Sequence, residues 1–135
     1  MSGSDTDRAE ALYMDGLDCF AEEDWQAAVG LFQQAVEADS EYLDAYHGIA
    51  RACFEGREAH PELLDAAIDA ATRITELDPD DVTAYSTLSQ VYVWKGDKDT
   101  AEFWGGKARV AGWKQQLKRD QQKRPPPPFD PENGG

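Results

Sequence analysis

Three stretches, ALYMDGLDCF (11–20), AYHGIARACF (45–54) and AYSTLSQVYV (84–93), align without a gap and bring the small residues Gly16, Ala50 and Ser89 into register. Self-similarity at this period is the mark of a repeat architecture, so it takes precedence over any local reading. The first two stretches are 34 residues apart and the last two 39. The segments that follow them carry Ala28/Ala35, Ala67/Ile74 and Ala101/Ala108, each pair seven apart. Ala28 lies 12 residues after Gly16, whereas Ala67 lies 17 after Ala50. The extra five residues of the second unit therefore belong to EGREAHPEL (55–63), between its two helical segments.

Each unit reads as a pair of amphipathic helices. Asp24 is placed to cap the helix bearing Trp25, Ala28, Phe32 and Ala35. His60-Pro61 and Asp78-Pro79 set proline at helix starts, and Gly96-Asp97 closes one helix and opens the next. No segment alternates with the two-residue period of a half-buried strand, which predicts an all-α fold. Its architecture is an α-solenoid of three helix-turn-helix units. A solenoid this short needs a polar end, and the basic stretch WKQQLKRDQQKR (113–124) suits a capping helix. In that reading Trp113 and Leu117 lie against the last unit while Lys114, Lys118, Arg119, Lys123 and Arg124 stay in water.

The pattern resembles the tetratricopeptide repeat family. That family has a small residue where the two helices of a unit cross, an alanine early in the second helix, an aromatic four on, an alanine three further and a proline opening the next unit. Leu12, Gly16, Ala28, Phe32 and Ala35 carry it in the first unit; Tyr85, Leu88, Ser89, Tyr92, Ala101 and Ala108 carry it in the third. Ala71, Ile74, Ser40 and Gly105 depart from it, which predicts looser packing of the second helices. The resemblance spans residues 9–112, as units 9–42, 43–81 and 82–112. Residues 1–8 are expected to be a flexible lead. Residues 125–135, opening PPPPF, are expected to be extended or disordered.

The composition sets bounds on function. The 135 residues carry 27 acidic and 13 basic side chains, a net charge of −14. The charge is bipolar: residues 1–106 hold 24 acids and 6 bases, while residues 107–124 hold 7 bases and one acid, Asp120. Nucleic acid as a partner is disfavoured, because the acidic body repels phosphates within a Debye length of about 8 to 10 Å. No apolar run reaches the roughly 18 residues needed to span a membrane, and the first residues lack a leader's apolar core. A cytoplasmic location is expected.

Catalysis finds little support. His47 and His60 have no partners at metal-ligand or triad spacing, and no glycine-rich phosphate loop follows a strand. Gly105-Gly106 sits late in a helical segment and reads as a close-packing device. Cys19 and Cys53 hold equivalent places in successive units, about 10 Å apart on neighbouring helices, too far for a disulfide. Both read as small buried residues. No enzyme activity, cofactor or metal is predicted.

The resemblance further implies that the first helix of each unit lines a concave groove. Carried over by register, the partner-binding groove is Tyr13, Leu17, Phe20, His47, Arg51, Phe54, Ser86, Gln90 and Trp94. Phe20, Phe54 and Val93 have a second reading, as packing between repeats. Some family members clamp the C-terminal carboxylate of heat-shock chaperones with lysine, arginine and asparagine. The corresponding positions here hold Tyr13, Leu17, Gly48, Thr83 and Thr87, so the clamp is absent. The expected ligand is an apolar or basic peptide or helix of another protein, with self-association also open. An alternative makes the chain a structural subunit or assembly factor, held by the Pro-rich tail and a basic surface of Lys107, Lys114, Lys118, Arg119, Lys123 and Arg124.

Overall fold

Turn chemistry decides where the helices break. A computed structural model describes residues 3–123, and every regular element among them is helical. The helices are α1 (Gly3–Ala21), α2 (Trp25–Ala38), α3 (Leu43–Glu55), α4 (Leu64–Leu77), α5 (Val82–Lys95) and α6 (Lys98–Lys123). They pack as successive antiparallel pairs, the all-α solenoid of three helix-turn-helix units.

Two of the breaks use the same device. After α5, the Gly96 N–H donates to the Val93 carbonyl at 3.0 Å and the Asp97 N–H to the Tyr92 carbonyl at 2.9 Å, with Gly96 left-handed at φ 85°. After α1, Glu23 and Asp24 repeat those bonds onto Phe20 and Cys19, both at 2.9 Å, with Glu23 left-handed at φ 60°. These are Schellman closures, and only glycine takes that backbone without cost. The side chains of Asp24, Asp81 and Asp97 then cap α2, α5 and α6 by accepting from Ala27, Ala84 and Thr100 N–H groups.

The prolines act slightly off their expected positions. Pro61 opens a single 3-10 turn, Pro61–Leu63, before α4. Pro79 precedes α5 by a turn in which Asp78 accepts from the Asp80 N–H, and Asp81 is the cap. Three residues separate α1 from α2, whereas eight separate α3 from α4.

The core is built around Phe32. Its ring is fully buried between α1 and α3, where a Cβ on Gly16 would stand 2.5 Å from Cε1 and one on Gly48 2.9 Å from Cδ2. Short side chains at those two crossings let the helices close over the ring. Val29, Ile49, Cys53, Leu64 and Val91 extend this core through all three units.

Three expectations need correction. Residues 3–8 are not a flexible lead but part of α1; residues 1–2 lie outside the described residues. No separate capping helix forms, because residues 98–123 are one continuous helix. At 100° per residue, its phase is set by Ala101, Trp104, Ala108, Ala111 and Gln115 against the third unit. Trp113 and Leu117, two residues past Ala111 and Gln115, consequently point away from the unit they were expected to cover. Lys114 and Lys118 instead approach Asp80, both at 3.9 Å. Arg124 and the Pro-rich tail lie outside the described residues.

Candidate functional site

The inner face is made by α1, α3 and α5, and it holds two adjoining depressions. The first, of about 190 Å³, lies between α1 and α3, with Tyr13, Leu17, Phe20, His47 and Arg51 among its lining residues. The second, of about 460 Å³, lies between α3 and α5, and His47, Arg51, Phe54 and Gln90 contribute to its walls. His47 and Arg51 are shared, so the two form one groove floored by Gly48, Ala50 and Ala84. The small floor residues follow from the repeat register, and they leave the larger side chains standing as walls.

The walls are amphipathic. Arg51 lies 5.4 Å from the Phe20 ring centroid, a cation–π contact that leaves the guanidinium exposed. His47 Nε2 and Asp81 Oδ2 are 2.9 Å apart, tying α3 to the start of α5. Asp44, at the start of α3, and Glu55, at its end, add one carboxylate to each depression. Tyr13 packs on Phe32 and Tyr42, with both centroid distances 5.6 Å; its burial first, and the nearby Asp44 carboxylate second, push its phenol above the usual range. It stays a neutral hydroxyl at physiological pH.

Seven of the nine sequence-derived groove residues line these depressions. Ser86 is half-buried on α5 and lines neither. Trp94 stands beyond the groove, where its ring receives Arg57 at 4.4 Å. Arg57 stacks its other face on Phe54 at 4.0 Å and donates from Nη1 to the Phe54 carbonyl at 2.8 Å. The inserted loop therefore sends one cation between two aromatic rings of neighbouring units. Nothing in the sequence around Arg57 signals this, because the pairing is made by the loop's path. Phe20 and Phe54 answer to both of their readings, as groove walls and as packing against the core, whereas Val93 is exposed. Thr83 and Thr87 also line the second depression.

The remaining candidates are quickly placed. Cys53 is buried and its thiol is pushed up to about 12 by that burial; Cys19 is half-buried, and both are free. Among the described residues, no three His, Cys, Asp or Glu side chains form a metal-binding group. None of the described helices is long and apolar enough to cross a membrane. Of the glycine pair, Gly105 does permit a close approach, since its Cβ would lie 3.3 Å from Ser89 Oγ, whereas a Cβ on Gly106 would meet only the Arg109 guanidinium, at 3.7 Å.

Stacked helix pairs with a continuous inner groove define an α-solenoid of helix-turn-helix units. The solved structures agree: the chain is similar to the protein in "Crystal structure of MamA", with 28% identity and a TM-score of 0.73 over 84% of this chain and 63% of that one. It is also similar to that in "Crystal structure of MamA protein", with 26% identity and a TM-score of 0.70 over 90% and 60%. The chain spans less than two thirds of the length of either. No family model matches it, and no curated protein does.

Proposed function

We propose that the protein is a non-catalytic interaction scaffold that holds a peptide or helix of a partner protein in the groove between α1, α3 and α5. One observation carries this reading. The groove runs unbroken across two repeat junctions, with an apolar floor and with Leu17, Arg51, Thr87 and Gln90 placed to meet a ligand rather than to pack. An extended or helical segment buries apolar side chains on such a floor, while Asp44 and Glu55 favour a ligand that carries positive charge. The helical-repeat neighbours support protein partners in general.

The test compares the wild-type chain with an Arg51→Glu/Gln90→Lys variant as affinity bait in a lysate of the source cells. Both residues are exposed, so the variant keeps its helical circular dichroism. A partner held by the wild type and lost by the variant supports the groove. Partners held equally by both place binding elsewhere.

A further inference from the structure

A second surface lies outside the groove, on α6. Phe103, Gly106, Val110, Trp113 and Leu117 recur at alternating intervals of four and three residues, the spacing of a coiled-coil a/d seam. Phe103, Val110, Trp113 and Leu117 are 56, 51, 75 and 61% exposed. The opposite side of α6 already serves the third unit, with Ala101 and Ala111 buried, Trp104 stacked on Tyr85 and Gln115 Nε2 donating to the Asp80 carbonyl at 2.9 Å. One helix therefore shows two apolar faces, and the described residues cover only one. A contiguous exposed apolar face marks an interaction site.

The glycines on this side add an independent argument. An interior helical glycine costs about 1 kcal/mol relative to alanine. At Gly105 close packing on Ser89 offsets that cost. At Gly112 a Cβ would meet nothing within 4 Å, and at Gly106 only the Arg109 guanidinium at 3.7 Å. No packing among the described residues accounts for these two. With Arg109, Val110 and Trp113 they line a depression of about 620 Å³, open to a side chain from outside.

Charge selects the occupant. The positions flanking the seam hold Lys107, Arg109, Lys114 and Lys123 against a single acid, Glu102. Two α6 helices face to face would oppose these cations. The α1 helix of a second copy is acidic, but its large exposed apolar groups are only Met14 and Leu17. An anionic bilayer would meet the net −18 of residues 1–106. We propose that α6 docks an acidic amphipathic helix of a partner protein. That helix sets apolar a and d side chains between Phe103, Val110, Trp113 and Leu117, and Glu or Asp at its flanking positions meet Lys107, Arg109, Lys114 and Lys123. The chain then holds one ligand in its groove and another on its last helix.

The probe is a fluorescein-labelled designed helix of about three heptads, with leucine at a and d and glutamate at e and g, titrated into the full chain by anisotropy. Saturable binding is expected below about 100 μM, weakened at least about tenfold by Trp113→Ala and by Lys107→Glu/Arg109→Glu. Arg51→Glu/Gln90→Lys leaves it unchanged, which separates this site from the groove. A peptide with lysine at e and g is expected not to bind. Equal binding of both peptides, binding that survives Trp113→Ala, or no binding up to about 100 μM overturns the proposal. So does a Trp113-dependent dimer in sedimentation velocity, which assigns the seam to a second copy. Trp113-dependent flotation with phosphatidylglycerol vesicles overturns it in favour of a lipid surface.

Discussion

Gly16→Ala pits helix propensity against packing, and the structure decides the sign. In an exposed helix interior the change stabilises by about 1 kcal/mol. Here the new Cβ would stand 2.5 Å from Phe32 Cε1 and 2.7 Å from Cδ1. The ring cannot swing away, because its far side is closed by Gly48 of α3, where a Cβ site lies 2.9 Å off. Overpacking of this kind costs about 1 to 3 kcal/mol, so Gly16→Ala destabilises by about 1 kcal/mol net. Gly30 is the control: it lies within α2 with nothing within 4 Å of its Cβ site, and Gly30→Ala stabilises by about 0.5 to 1 kcal/mol. Phe32→Leu removes Cε1, Cε2 and Cζ and leaves only the δ carbons near the new Cβ, so Gly16→Ala costs about 1 kcal/mol less in that background. Urea unfolding followed at 222 nm gives the full cycle, with a coupling energy of at least about 1 kcal/mol expected between the two sites. A Gly16→Ala protein as stabilised as Gly30→Ala would refute the packing argument.

Other substitutions test the turns and the thiols. Glu23→Gly relieves a left-handed backbone and raises stability by about 1 kcal/mol, while Gly96→Ala lowers it by a similar amount; thermal unfolding checks both. Asp81→Ala removes both the α5 cap and the partner of His47, and costs about 1 to 2 kcal/mol in urea. Asp24→Ala costs less, because its cap bond is longer, at 3.3 Å against 2.9 Å, and it has no second partner. For the cysteines, a thiol pushed up to about 12 is almost wholly protonated at pH 8, so a disulfide reagent labels Cys19 in the native protein and reaches Cys53 only on unfolding. Equal native rates would contradict the burial of Cys53.

Most of the fold was legible because the repeat register and the caps point the same way. Gly16, Ala50 and Ser89 mark the crossings, and Asp24 and Gly96-Asp97 mark the breaks, all as local features of the chain. What failed was phase over distance. Trp113 and Leu117 look like the inner face of a separate helix only if a break precedes them, and no glycine-aspartate closure or proline supplies one between Lys98 and Lys123. The groove residues on α1 and α3 followed from register, since those helices start in phase with the repeat. Trp94 did not, because it lies past the last turn of α5 that faces the groove, where Arg57 from the inserted loop takes it. That contact joins residues 37 apart through a loop whose path no local pattern encodes.

The proposed role of the face made by α1, α3 and α5 is to receive a partner's peptide. The most direct measurement is amide chemical-shift mapping of the ¹⁵N-labelled chain, titrated with the binding segment of a captured partner. Shifts are expected to concentrate at Leu17, His47, Gly48, Arg51, Thr87 and Gln90, with α2 and α4 little affected. Shifts confined to α2, α4 or α6, with the groove unmoved, would contradict it.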